Sequence, residues 1–161
     1  THCISSAASD VYKRQVLFLG RNVGYPIAME GALKLKELAY IHAEGFAAGE
    51  LKHGPIALID AGQPVFIVVP GPDTPHGLHG KVVSNIQEIR ARGARTLVIA
   101  EEGDEAVVPF ADEVIRFPKS APLLAPLLAI VPLQVFSLEL STAKGLDVDQ
   151  PRNLAKSVTV E

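Results

Sequence analysis

Short apolar segments of strand length alternate with helix-like segments along most of the chain, and this alternation constrains the fold more than any other feature. Four runs (VLFLG, VFIVV, TLVIA and EVIRF) predict strands at 16–20, 65–69, 96–100 and 113–117. Apolar residues at helical spacing predict helices at 25–40, 78–92 and 123–144. Apolar strands separated by helices indicate an α/β fold, with a parallel sheet covered by helices on both faces. Such sheets bind ligands beyond the carboxyl ends of their strands, so a site is expected there.

The folded part of the chain is expected to begin near Val16. Residues 1–15 are small, polar and aperiodic, so they are predicted to be a leader foreign to the domain; a natural linker from a preceding domain is the alternative. Residues 16–161 are predicted to form one domain that ends in a polar tail at 147–161. A chain of this length can bury a sizeable core.

Composition excludes several classes of function. The formal net charge is -3 and no cluster of Lys and Arg forms a basic stripe, so no nucleic-acid partner is predicted. The chain has one cysteine, Cys3, which excludes an internal disulfide and is typical of a reducing compartment such as the cytoplasm. No charged residue occurs between Lys119 and Glu139, a span that approaches bilayer length. Pro, Gln and Ser residues interrupt this span, so a buried helix and no membrane association are predicted.

Glu30, Lys34 and Glu37 share one face of the first predicted helix because they are spaced four and three residues apart. One interpretation is a solvated ladder of ion pairs, in which each pair contributes about 0.2–0.5 kcal/mol. The other is an ammonium group beside a carboxylate that carries a proton for a bound substrate. Spacing alone does not separate the two interpretations.

Histidine and lysine side chains elsewhere are further candidates. His53 lies in the loop GELKHGP, where an imidazole can act as an acid or base near neutral pH, or can simply lie on the surface. His76 and His79 have the spacing of metal ligands, but no third ligand is near in sequence, so no metal site is predicted. In the tail, Lys156 follows Arg152 by four residues and is either an amine nucleophile toward a carbonyl or part of a solvated terminus.

Three longer segments carry a family resemblance that spans Val16 to Glu161. They are FLGRNVGYPIAMEGALKLKELAYIHAEGFAAGELKHGPIALID, SNIQEIRARGA and VPLQVFSLELSTAKGLDVDQPRNLAKSVTVE. The chain resembles the second sugar-isomerase (SIS) domain of bacterial glucosamine-6-phosphate synthases, also called glutamine–fructose-6-phosphate aminotransferases, and among them the actinobacterial members. The ending DQPRNLAKSVTVE is the most specific element, because other SIS proteins lack it. The resemblance implies a flavodoxin-like, three-layer SIS fold and a cytoplasmic enzyme that makes glucosamine 6-phosphate from fructose 6-phosphate and ammonia.

The resemblance also implies roles for individual residues. The catalytic glutamate of the family motif KLKE falls on Glu37, which would carry a proton between the first and second sugar carbons. The lysine of that motif falls on Lys34, placed to assist proton removal. The histidine of LKHGP falls on His53, which in the family promotes ring opening and acts in the site of the neighbouring subunit of a homodimer.

Family residues of the closing tail fall on three further positions. The lysine of NLAKS falls on Lys156, which would meet the sugar carbonyl as a Schiff-base or polarising amine. Arg152 and Ala155 fall in the tail loop that closes over the sugar and keeps water from the imine. Glu37 and Lys156 are expected to converge on one sugar at the edge where the parallel strands end. The resemblance implies no cofactor and no metal.

Parts of the complete synthase have no match in this sequence. Complete enzymes begin with a cysteine that hydrolyses glutamine, followed by a first SIS domain whose Ser/Thr-rich loop holds the sugar phosphate; Cys3 lies in the leader and does not replace that cysteine. The corresponding loop here, PGPDTPHG, has one threonine, three prolines and the acidic Asp73, and is expected to hold phosphate poorly.

The chain is therefore interpreted as an isomerase-half fragment that is inactive alone. Its expected partners are fructose 6-phosphate and glucosamine 6-phosphate, the missing glutaminase and first SIS domains, and a second subunit. The alternatives are a regulatory SIS module that binds a sugar phosphate, and a related sugar-phosphate isomerase or deglycase.

Overall fold

The computed structural model describes residues 15–153. Within them, five strands form one parallel sheet in the order β2-β1-β3-β4-β5: β1 (Gln15–Gly20), β2 (His42–Ala47), β3 (Pro64–Val68), β4 (Arg95–Glu101) and β5 (Glu113–Phe117). The α-helices are α1 (Gly24–Ala39), α2 (Leu78–Arg90) and α3 (Ala125–Ala143). Short 3-10 turns lie between them, among them the His53 turn (Ala48–His53). The predicted α/β fold with a parallel sheet is confirmed.

Two clusters of buried side chains make the domain three layers thick, as predicted. On one face of the sheet, α1 and α3 cover a core around Phe18, Phe66 and Phe136, whose ring centroids lie 4.9 Å apart for the first pair and 4.7 Å for the second. On the other face, α2 and the His53 turn cover a core that includes Leu51 and Ile86. The central strands therefore bury both faces, which is why their sequences are apolar without alternation.

Helix α1 returns the chain from the carboxyl ends of the strands to their amino-terminal ends. It starts after a turn in which the Gly24 amide donates to the Arg21 carbonyl over 3.0 Å. It ends where Tyr40 adopts a left-handed conformation (φ 56°), and β2 begins two residues later at His42. A helix of 16 residues is about 24 Å long and a strand of 6 residues about 20 Å, so the last turn of α1 lies level with the start of the sheet.

Strand β2 is a correction to the sequence-based prediction, which has four strands and treats this part of the chain as a loop. The sequence of β2, HAEGFA, has no continuous apolar run because the strand lies at the edge of the described sheet and is only partly buried. It pairs with β1 in parallel, from Gln15 opposite His42 to Gly20 opposite Ala47. Strand β2 therefore carries the chain back to the carboxyl ends of the strands, where the His53 turn begins.

Gly45 in β2 is required for the close approach of α1 to the sheet. A Cβ atom built on Gly45 would lie 2.7 Å from the Cα atom of Met29, a backbone atom that cannot rotate away. We expect Gly45→Ala to lower the free energy of unfolding by about 1–3 kcal/mol, because α1 must shift to relieve the overlap. Urea unfolding followed by circular dichroism measures the change.

The matched control for this substitution is Gly80→Ala in α2. A Cβ atom built on Gly80 meets no heavy atom of the described residues within 4 Å, and alanine favours the helix by up to about 1 kcal/mol. Gly80→Ala should therefore leave stability unchanged or raise it. Equal unfolding midpoints for the two variants would show that the approach of Met29 to Gly45 is not a packing constraint.

Helix α3 is, among the described helices, the one that is long and apolar enough to cross a membrane by those two criteria. One of its faces packs on the sheet through Ala129, Leu133 and Phe136. The opposite face is open, with Leu127 67% exposed and Val131 48% exposed. Helix α3 is therefore a core helix of the domain that has a second apolar face, which the described residues leave uncovered.

Candidate active site

Glu30, Lys34 and Glu37 of α1 form the predicted ladder. The Nζ atom of Lys34 lies 2.7 Å from Oε2 of Glu37 and 3.5 Å from Oε1 of Glu30, and all three side chains are partly exposed. The hydrogen bond to Glu37 raises the pKa of Lys34, burial opposes this rise, and the charge of Glu30 adds to it. Lys34 is therefore an ammonium ion at neutral pH. It can orient the Glu37 carboxylate and balance its charge, but it cannot serve as the base.

Glu37 lies near the amino-terminal ends of the parallel strands. It belongs to the last turn of α1, and β2 starts five residues later at His42, opposite the first residue of β1, Gln15. The prediction that Glu37 lies at the carboxyl ends of the strands is therefore wrong. The reason is length: α1 is about as long as β1 and runs in the opposite direction, so its last turn returns to the starting edge.

His53 lies at the opposite end of the sheet, near the carboxyl ends of the parallel strands. The His53 turn follows directly after Ala47, which is paired with the last residue of β1, Gly20. The side chain of His53 is 73% exposed, and its Nδ1 atom donates to Oε2 of Glu50 over 2.7 Å, which leaves Nε2 open to solvent. Glu37 and His53 are therefore at opposite ends of the strands, about 20 Å apart along the strand direction.

Three contacts hold the His53 turn against the domain. Leu51 is fully buried in the second core. Lys52 forms an ion pair with Glu88 of α2, with 2.8 Å between Nζ and Oε1. The guanidinium of Arg21 lies on Gly49, where a built Cβ atom would be 3.1 Å from Nη2. The exposed imidazole of His53 is thus presented on a turn whose backbone is well anchored.

The polar tail returns to the end of α1 that carries Glu37. Lys144, just after α3, donates from Nζ to the carbonyl oxygen of Ala39 over 2.5 Å. Further along, the backbone amide of Arg152 donates to Oη of Tyr40 over 2.7 Å, and the Arg152 guanidinium lies 4.2 Å from the centre of the Tyr40 ring. The structure therefore brings Arg152 to the same end of the domain as Glu37. The predicted site residues Ala155 and Lys156 lie outside the described residues.

An apolar groove runs between the first turns of α1 and α3. We call it the α1/α3 groove, and its lining is Val23, Pro26, Ile27, Glu30, Pro126, Leu127 and Ile130. Glu30 is the one charged residue among these, and it is also the first member of the ladder. Beside the groove, Leu123 is 88% exposed and Leu124 52% exposed. The ladder of Glu30, Lys34 and Glu37 therefore runs along α1, from the α1/α3 groove toward the end of α1 that the tail contacts.

The loop after β3 is bordered by the carboxylates of Asp73 and Glu101. Asp73 accepts a hydrogen bond from Lys119 over 2.9 Å, and this bond raises the pKa of Lys119. The carboxylate of Glu101 lies against Gly71, with one oxygen 2.5 Å from where a Cβ atom would be. The Thr74 amide is already donated to the carbonyl of Gly71. Two carboxylates thus border the segment where a phosphate would need donors.

No cluster of three or more His, Cys, Asp or Glu that could hold a metal ion occurs in residues 15–153. His79 instead pairs with Asp104, with 2.7 Å between Nε2 and Oδ2.

The comparisons with known proteins agree with this architecture. A family model described as the SIS domain matches residues 11–144. The chain belongs to the SIS domain family.

Its similarity to full-length enzymes is high but covers a minor part of them. The SIS chain is 78% identical over 148 residues to a glutamine–fructose-6-phosphate aminotransferase (isomerizing) of Leifsonia xyli and 72% identical over 155 residues to that of Streptomyces coelicolor, both actinobacterial. These matches cover 92% and 96% of the chain, which spans about a quarter of the length of these curated relatives (24% and 25%). The predicted family and its actinobacterial character are confirmed.

A solved structure gives the same result. The C-terminal domain of glucosamine-fructose-6-phosphate aminotransferase from Francisella tularensis superimposes with a TM-score of 0.83 at 40% sequence identity. The match covers 92% of this SIS domain and 41% of that chain. More than half of that C-terminal domain therefore has no counterpart in the present chain.

Three residues of the candidate site in this SIS domain are not identified by the sequence-based prediction. They are Glu50, which binds His53, and Tyr40 and Lys144, which contact the tail and α1. Glu50 has a local signal, because it precedes His53 by three residues in a tight turn. The contact between Tyr40 and Arg152 joins residues 112 positions apart, and no local pattern encodes it.

Proposed function

We propose that this SIS domain supplies the proton-transfer half of the isomerase site in a cytoplasmic glutamine–fructose-6-phosphate aminotransferase. The observation that carries the proposal is the return of the tail, at Arg152, to the end of α1 that holds Glu37 and Lys34. A carboxylate, an ammonium ion and a closing segment are thereby gathered at one end of the domain. The names of the relatives at 72% and 78% identity support the same reaction.

Glu37 is the proton carrier in this proposal. The reaction requires a proton to leave the first carbon of the open-chain imine and to reach the second carbon, which converts a ketose imine into an amino aldose without net oxidation. One carboxylate that reaches both carbons can accept the proton and return it. Lys34, held as an ammonium ion 2.7 Å from Glu37, fixes the orientation of that carboxylate. Lys156 is the amine that engages the sugar carbonyl when the tail closes.

His53 acts in the site of a second subunit in this proposal. In such a homodimer, the His53 turn of one chain approaches the carboxyl end of α1 in its partner. The His53 imidazole and the Glu37 carboxylate then meet, although they are about 20 Å apart within one chain. The exposure of the His53 side chain (73%) and its orientation by Glu50 suit a group offered to a neighbour. Its free Nε2 atom is then the acid or base for ring opening.

The remaining part of a full-length enzyme covers the α1/α3 groove in this proposal. Exposed leucines such as Leu123 and Leu127 are the kind of surface that packs against another domain. Because Glu30 lines the groove and begins the ladder, the covering domain would also border the substrate. That domain would supply the phosphate-binding loop, because the Asp73 carboxylate in the loop after β3 disfavours an anion.

The isolated chain is accordingly expected to bind fructose 6-phosphate weakly. Titration calorimetry of the 161-residue chain should give a dissociation constant above about 1 mM. The full-length Leifsonia xyli relative, titrated under the same conditions, is the positive control. Micromolar binding by the isolated chain would mean that the loop near Asp73, or another part of the chain, holds the phosphate after all.

The reaction itself is tested in a chimera in which residues 16–161 replace the matching segment of the Leifsonia xyli relative. The chimera should form glucosamine 6-phosphate, and substitution of Glu37 should stop it. A regulatory module that only binds a sugar phosphate would not respond to Glu37 in this way.

A further inference from the structure

Tyr40 is the residue on which the tail rests. Its hydroxyl oxygen accepts the backbone N–H of Arg152 over 2.7 Å, and its ring lies under the Arg152 guanidinium at 4.2 Å. Tyr40 also ends α1 in a left-handed conformation, with φ 56°. Glycine or asparagine adopts that conformation more easily than tyrosine. The side chain of Tyr40, rather than its backbone, is therefore what suits this position.

We propose that Tyr40 is a positioning residue that seats the tail beside Glu37, an inference that rests on the proposed function. We call the contact of Arg152 with Tyr40 the seat of the tail. Tyr40 follows Glu37 by three residues, so the seat and the Glu37 carboxylate are about one helical turn apart. A tail held at Tyr40 therefore lies about one helical turn from Glu37.

The path of the tail between α3 and the seat is defined by local hydrogen bonds. Gly145 leaves the helix in a left-handed conformation (φ 68°), and the next amide returns to the carbonyl of Ser141 over 3.0 Å. Asp147 then accepts the amides of Asp149 and Gln150 through Oδ1, each over 3.0 Å. These turns direct the chain across the ends of both helices toward Arg152.

The tail is attached to adjacent residues of α1 at both ends of this path. Lys144 binds the Ala39 carbonyl at its start, and Arg152 binds Tyr40 at its end. Both contacts with Tyr40 are weak individually, because Arg152 is exposed. These contacts can therefore break and re-form without unfolding the domain. Loss of the hydroxyl should change how often the tail is closed rather than whether the domain folds.

The first test measures the seat itself and does not depend on the proposed function. In the isolated chain, amide hydrogen exchange followed by NMR should be about tenfold faster at Arg152 in Tyr40→Phe, because its N–H loses its acceptor. The matched control is Tyr25→Phe, a tyrosine in the first turn of α1, which should leave exchange at Arg152 unchanged. Equal exchange rates at Arg152 in Tyr40→Phe and the unmodified chain would overturn the proposal.

The second test asks whether the seat serves the reaction. In the chimera, Tyr40→Phe should lower kcat for glucosamine 6-phosphate about tenfold, and Tyr40→Leu, which also loses the ring, should lower it further. The rate of glutamine hydrolysis and the KM for glutamine should not change. Unchanged kcat in Tyr40→Phe, despite faster exchange at Arg152, would show that the seat does not position the tail for catalysis.

The two tests separate failure of this inference from failure of the proposed function. An unmodified chimera that binds both substrates but makes no glucosamine 6-phosphate would contradict the proposed function, and the positioning role would fall with it. The exchange result at Arg152 would still decide whether Tyr40 holds the tail. A reduced unfolding midpoint in Tyr40→Phe, with kcat and glutamine hydrolysis falling together, would assign Tyr40 a structural role and overturn the proposal.

Discussion

Glu37→Gln should abolish the formation of glucosamine 6-phosphate by the chimera while leaving glutamine hydrolysis intact. An amide of the same shape keeps the fold and a hydrogen bond to Lys34, but it cannot accept a proton. Loss of a positioned acid–base group typically lowers kcat by about 10²–10⁴-fold. A coupled assay for glucosamine 6-phosphate, run beside an assay for glutamate release, measures the two activities separately.

Glu30→Gln is the matched control for this substitution. Glu30 and Glu37 both pair with Lys34, at 3.5 Å and 2.7 Å, but only Glu37 lies at the end of α1 that receives the tail. We expect Glu30→Gln to change kcat by less than about threefold, the effect of weakening one exposed ion pair. If Glu37→Gln made product at the rate of the unmodified chimera, Glu37 would be only a member of a surface ladder.

Mixing two inactive variants of the chimera should restore about one quarter of the activity. The variants are Glu37→Gln and His53→Asn, each nearly inactive alone. In a dimer that carries one of each, one site keeps both Glu37 and His53, because the two residues come from different chains. Random pairing makes half of the dimers mixed, and each has one intact site of two, which gives about one quarter.

The same experiment distinguishes the opposite arrangement. If Glu37 and His53 of one chain served the same site, every site in a mixed dimer would lack one of them, and no activity would return. Unfolding and refolding the variants together ensures exchange of subunits, and refolding each alone is the control. Gel filtration of the mixtures shows whether dimers have formed, so that absence of activity is not confused with absence of pairing.

The parallel sheet was predictable because its central strands are buried on both faces. Runs such as VFIVV are apolar throughout, and a run of this kind has few alternatives to a buried strand. Strand β2 could not be found in the same way. It lies at the edge, contains Glu44 and Gly45, and is only partly buried, so its hydrophobic pattern is weak.

The sequence motifs proposed the site residues but did not give their place in the fold. Glu37, Lys34 and His53 were assigned through motifs, and motifs say nothing about which edge of a sheet a residue reaches. The edge depends on the length and direction of α1 relative to β1, and on the presence of β2, which moves His53 to the far side. The contact between Tyr40 and Arg152 depends on how α3 ends, and it needed the tertiary structure.

The placement of Glu37 and His53 at opposite ends of the strands of one sheet has a genetic consequence. In the proposed dimer each chain completes two sites, its own through Glu37 and its neighbour's through His53. A chain that has lost both residues would therefore disable every site of any pair it enters, including the site built on an intact neighbour. In a cell that expresses both copies equally, random pairing would leave only about one quarter of the dimers active, less than the half expected if the normal chains were unaffected.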